Sequence, residues 1–137
     1  MPTEPNSDRP WERVATAAQF WTAALLVVMF VGTHMPNSID GLEGGRDRIA
    51  HFVGYAALAC SVLATLELSL PRVEPRHYFG VWVSLVLYGV FDEITQTPMR
   101  RVCDVTDWAF DVMGATSGIV FYLVGRSVLR GLASGET

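Results

Sequence analysis

The stretch D-W-A-F-D-V-M-G-A-T-S-G, Asp107–Gly118, decides how this chain folds. Asp107, Asp111, Gly114 and Gly118 are spaced i, i+4, i+7 and i+11. In a helix that spacing brings all four into one stripe. The apolar run continues through Val112–Val124, so the two carboxylates sit at the mouth of a segment suited to a bilayer. Gly114 and Gly118 form a small-xxx-small pair, the pattern that lets a second helix approach closely in a membrane. An ionisable side chain in that setting is costly and marks a functional site by default.

Three further stretches of the chain repeat the apolar theme. They are Val14–Met35, Ile49–Leu70 and the shorter Tyr78–Ile94, joined by Val105–Leu129 as the fourth. About 20 mostly apolar residues span the hydrocarbon core, so the reading is all-α: an integral membrane bundle of four transmembrane helices with short loops. Half of the 137 residues are hydrophobic, and the four stretches leave no room for a sizeable soluble domain. The expected organisation is a flexible polar tail over 1–13, a four-helix domain over 14–129 and a short tail over 130–137. The first stretch is long for a signal sequence and is followed by Gly32, Thr33, His34, Met35 and Pro36. These residues offer no small-residue cleavage site, so it reads as a retained helix.

Charge narrows the partners. Ten arginines, no lysines and a net charge of −4, with no basic run, argue against nucleic acid and for the lipid bilayer as the main partner. Cys60 and Cys103 fall at different expected depths, so no disulfide is expected. Four spans put both termini on one side and the first and third loops on the other. Six arginines (9, 13, 72, 76, 126 and 130) accompany the termini and second loop, and four (46, 48, 100 and 101) accompany the other loops. The positive-inside rule therefore places both termini in the cytoplasm of a multi-pass cell-membrane protein.

The polar residues sort onto one side. Asp47, Arg48, His51 and Tyr55 open the second helix, with Asp47, His51 and Tyr55 on one face. Asp92, Glu93 and Gln96 close the third. Arg100 and Arg101 lie in the third loop, and Asp107 and Asp111 open the fourth helix. All belong to the side of the first and third loops. The opposite side carries only Glu67, Glu74, His77 and a few arginines, spread thinly near helix ends. One polar pocket, built by the second, third and fourth helices, follows.

The strings D-R-I-A-H-F-V-G-Y (Asp47–Tyr55), D-E-I-T-Q (Asp92–Gln96) and D-W-A-F-D-V-M-G-A-T-S-G, with an arginine between the last two, resemble the VanZ-like membrane protein family over about residues 15–125. The chain departs from the family pattern at Arg48, where lysine is usual, and at Asp111, where asparagine is usual. It also reads Pro98-Met99-Arg100-Arg101 in place of Pro-Gly-Arg. The resemblance implies the four-helix membrane fold and an association with teicoplanin resistance, without an assigned mechanism.

Three readings of the pocket stand. In the first, its arginines hold phosphate or carboxylate and its carboxylates receive sugar or amine donors. It then recognises a lipid-linked cell-wall precursor, a surface lipid or a glycopeptide. In the second, His51, Glu93, Asp107 and Asp111 hold a divalent ion or do acid–base work, although H-E-x-x-H and G-x-S-x-G are absent and no cofactor is expected. In the third, the groups only clamp the bundle or bind a partner protein. The recognition reading leads, because packing needs alone do not sort polar groups to one side. His34 and His77 read as solvated, Glu67 as snorkelling or pairing with a loop arginine, and Trp11, Trp21, Trp82 and Trp108 as anchors or core. Oligomeric state is left open.

Overall fold

A computed structural model describes residues 10–34, 45–96 and 105–135. These form four helices: α1 (Pro10–His34), α2 (Gly45–Ser69), α3 (Pro75–Gln96) and α4 (Val105–Ser134). Each is long and apolar enough to cross a membrane. At 1.5 Å per residue even the 22 residues of α3 reach about 33 Å, enough for a hydrocarbon core of about 30 Å. The expected all-α membrane bundle is what the chain forms, and it is a multi-pass protein in contact with lipid.

The helices outrun the apolar stretches that signalled them. α1 and α3 start at Pro10 and Pro75, and proline at a first helical position gives up only an N–H that would have no helical partner. The start of α3 is further fixed by His77, whose Nδ1 accepts from the Glu74 backbone N–H at 2.8 Å. His77 is therefore half-buried and bonded, not simply solvated. At its other end α3 continues through Asp92–Gln96. Those polar residues lie inside the bundle, not beyond it.

α2 and α4 make the most extensive contact, with α1 against α2 and α3 against α4. The glycine stripe explains the central pair. A Cβ on Gly114 would run into the Phe52 carbonyl of α2, and one on Gly118 into the Ala56 carbonyl. Only a residue without a side chain lets the two backbones come this close. Gly54 of α2 likewise receives the Met29 side chain of α1.

The core between the helices contains Tyr55, Leu58, Ala59, Leu63, Leu85, Ala115 and Ile119. Around it the pattern of a soluble protein is inverted. Phe20, Trp21, Val28, Phe79, Leu87, Ile94 and Phe121 all point outward, which suits acyl chains and not water. Small polar side chains join α1 to α2 instead: Thr22 Oγ1 lies 2.7 Å from Ser61 Oγ and 2.9 Å from Thr65 Oγ1. Cys60 is a free thiol; Cys103 falls outside the described residues.

Candidate functional site

The end of the bundle where α1 and α3 stop and α2 and α4 start is where the polar side chains converge. His51, Asp92, Glu93, Gln96 and Asp111 are all buried there, and Tyr55 lies beneath them with no exposed surface. His51 reaches them because it is one turn inside α2, on the face shared with Tyr55. Asp111 reaches them because it stands on the α4 stripe one turn above Gly114, where α4 meets the α2 backbone.

The contacts divide into two groups. In the first, the His51 Nδ1–H donates to Asp111 Oδ1 at 2.8 Å, joining α2 to α4. In the second, Asp92 accepts from Thr33 Oγ1 at 3.0 Å and from Gln96 Nε2 at 3.2 Å, joining α3 to α1. Glu93 stands between them: its carboxylate, the His51 ring and Asp111 bring one ligand atom each within 4.8 Å of one another. At the mouth, Arg48 Nε lies 3.6 Å from Asp107 Oδ1, and Asp47, His51 and Asp107 form a second cluster of the same tightness.

Several of these atoms have nothing to bond to. Among the described residues, His51 Nε2, Asp111 Oδ2, Tyr55 OH and Tyr88 OH are buried with no hydrogen-bond partner. Buried polar atoms are nearly always satisfied, because each unmade bond costs about 1–3 kcal/mol. Four such atoms at this end of the bundle leave its hydrogen-bonding capacity unmet. Tyr55 and Tyr88 face each other with ring centroids 6.0 Å apart.

An apolar cleft of about 270 Å³ lies on the α3–α4 seam, lined by Val90, Glu93, Ile94, Val105 and Trp108. Glu93 is its polar member. The cleft therefore connects a lipid-facing seam to the polar cluster. Gly89 shapes the same seam: a Cβ there would lie 3.0 Å from Asp111 Oδ2 and 3.2 Å from the Trp108 ring. Trp108 is held by its own bond to the Val86 carbonyl at 3.3 Å, so it is more than an interface anchor.

The structure thus gathers Asp47, Arg48, His51, Tyr55, Asp92, Glu93, Gln96, Asp107 and Asp111 at one end. Arg100 and Arg101 lie outside the described residues. Four participants were not anticipated. Thr33 and His34 come from the end of α1, and His34 is not solvated: Nδ1 donates to the Phe30 carbonyl at 2.7 Å and Nε2 lies 3.0 Å from Thr95 Oγ1. Helix parity already put the end of α1 on this side. Tyr88 precedes Asp92 and Gln96 at the same four-residue spacing. Gly89 carried no signal in sequence.

A model of the VanZ/LLP1 family matches residues 7–126, most of the chain. The chain belongs to that family. No curated protein and no solved structure is similar enough to count as a match. In this VanZ/LLP1 protein the matched region takes in all of the residues gathered at the polar end and the Gly114–Gly118 contact that supports them.

The opposite end is not a thin scatter of polar groups. Glu67 of α2 accepts from Tyr122 OH, from Arg126 Nε at 2.6 Å and from Arg130 Nη2 at 3.3 Å. Arg126 also donates to Tyr78 OH at 2.6 Å. This network ties α2, α3 and α4 together, and its donors and acceptors satisfy each other. The arginines that pair with Glu67 come from α4, not from a loop.

Proposed function

We propose that this protein binds an amphiphilic ligand of the cell envelope, with its headgroup in the His51–Glu93–Asp111 cavity and its acyl chain in the α3–α4 cleft. The observation that carries this reading is the set of four buried, unpartnered polar atoms beside an apolar cleft that ends at Glu93. A lipid headgroup rich in hydroxyl or amine groups supplies the missing donors and acceptors, and Arg48 at the mouth suits a phosphate. With both termini in the cytoplasm, as the arginine distribution favours, the cavity faces the outer leaflet. Lipid-linked cell-wall precursors and surface lipids present their headgroups there, and a glycopeptide such as teicoplanin acts there. Occupancy of the cavity is then the route by which this family member would alter susceptibility to such an antibiotic.

The cleft gives the test. Ile94 points outward at the cleft and is not part of the core, so Ile94→Trp fills the cleft and leaves the fold intact. Delipidated wild-type protein in detergent is expected to gain about 2–3 kcal/mol of stability when a lipid extract of its own membrane is added well above the dissociation constant. Ile94→Trp is expected to lose that gain. An equal gain in both proteins would show only general solvation of the bundle and would remove the support for a seated ligand.

A further inference from the structure

We propose that His51, Glu93 and Asp111 together hold one divalent transition-metal cation inside the bundle, at the head of the α3–α4 cleft. The inference rests on the reading of this cavity as the ligand site, and it gives that site a chemistry.

Geometry comes first. One ligand atom from each residue lies within 4.8 Å of the other two. Zinc and similar ions sit about 2.1 Å from an imidazole nitrogen or a carboxylate oxygen, so two donors on one ion are at most about 4.2 Å apart. Closing the three onto a common centre takes side-chain shifts of less than about 1 Å, within the reach of χ rotations.

Burial is the second, independent observation. All three side chains are shielded, with relative exposures of 1% for His51, 3% for Glu93 and 0% for Asp111. Asp111 Oδ2 has no hydrogen-bond partner, and the imidazole nitrogen that can share an ion with Asp111 is Nδ1, 2.8 Å from Oδ1, which ligates once its proton has left it. Asp92, the other buried carboxylate at this end, is excluded from the set because Thr33 and Gln96 occupy both of its oxygens.

Charge is the third. Two carboxylates, one neutral imidazole and one divalent cation sum to zero. A neutral sum lowers the cost of holding these charges inside a membrane bundle. The donor types narrow the ion. Imidazole suits zinc and iron, and carboxylate suits manganese and magnesium, so a mixed set favours Zn²⁺, Fe²⁺ or Mn²⁺. Three protein ligands from α2, α3 and α4 leave a coordination position open, as in sites that bind a ligand and unlike closed structural sites. An oxygen of the seated headgroup fits that position.

Cobalt is the probe. The full chain in nanodiscs, stripped with a chelator, is titrated with Co²⁺, and visible absorption and metal content are read. One equivalent per chain is expected. Asp111→Asn keeps the side-chain shape and removes one ionic ligand, and it should weaken Co²⁺ binding by at least 10-fold, since even the loss of a group behind a metal ligand costs about 10–100-fold. His77→Ala, at the opposite end, should bind as the wild type does. Wild-type protein that takes up no Co²⁺, Zn²⁺ or Mn²⁺ overturns the proposal, whatever the variants do. So does an Asp111→Asn protein with intact helix content and undiminished affinity. Ile94→Trp leaves all three ligand side chains in place and should keep Co²⁺ while losing lipid. Lipid binding without cobalt therefore sinks the metal site alone, and cobalt without lipid sinks the amphiphile reading alone.

Discussion

Gly114→Leu is expected to prevent the α2–α4 pair from closing and to cost about 3 kcal/mol or more in detergent. Overpacking a soluble core costs about 1–3 kcal/mol because neighbouring side chains can shift. Here the obstacle is the Phe52 backbone carbonyl of α2, and a helix backbone does not move aside. The two helices must separate, and the separation propagates to His51 and Asp111 one turn away. Gly125→Leu in the same helix is the control, because a Cβ there meets nothing within 4 Å. It should change stability by less than about 0.5 kcal/mol. Thermal unfolding followed by circular dichroism in a mild detergent compares them. Equal melting temperatures would mean that α2 and α4 are not held by this contact.

The second large effect concerns the buried pair. His51→Leu and Asp111→Leu are each expected to destabilise the bundle by about 3–5 kcal/mol, since each strands the other group in a dry interior. The double variant removes both and should cost at least about 1 kcal/mol less than the sum of the singles. Interhelical hydrogen bonds between neutral groups in membranes couple by only about 0.6 kcal/mol on average. A coupling energy that small would show that His51 and Asp111 are weakly bonded and that the cavity is wetter than its burial implies. The cycle is read by denaturant unfolding of the same four proteins in one detergent.

Much of this arrangement was legible in sequence because membrane helices obey few rules. Periodicity alone put Asp107, Asp111, Gly114 and Gly118 on one face, and helix parity alone put the polar residues on one side. Where the reading fell short, the reasons are physical. Apolar runs mark lipid-facing length and not helix length, so α3 looked short. Its last turn, Asp92–Gln96, is polar yet buried against other helices. Thr33 and His34 sat at a helix end, where solvation is the ordinary expectation, and only the packing of α1 against α3 shows them bonded to Asp92 and Thr95. Gly89 was silent because its role is to make room for side chains of another helix. Glu67, Tyr122 and Arg126 are far apart in the chain, and no local pattern announces their network. The chemistry of the cavity was less legible still, since unpartnered atoms exist only in three dimensions.

The central claim is that the buried polar cavity seats a headgroup. Native mass spectrometry of the protein released from nanodiscs made with its own membrane lipids tests it most directly, wild type beside Glu93→Leu. Glu93 joins the cleft to the cavity, and leucine keeps the helix and much of the volume while removing the carboxylate. The account predicts a discrete adduct of lipid mass on the wild type that survives collisional activation and is absent from Glu93→Leu. Bare chains in both samples, or the same adduct on both, would contradict it.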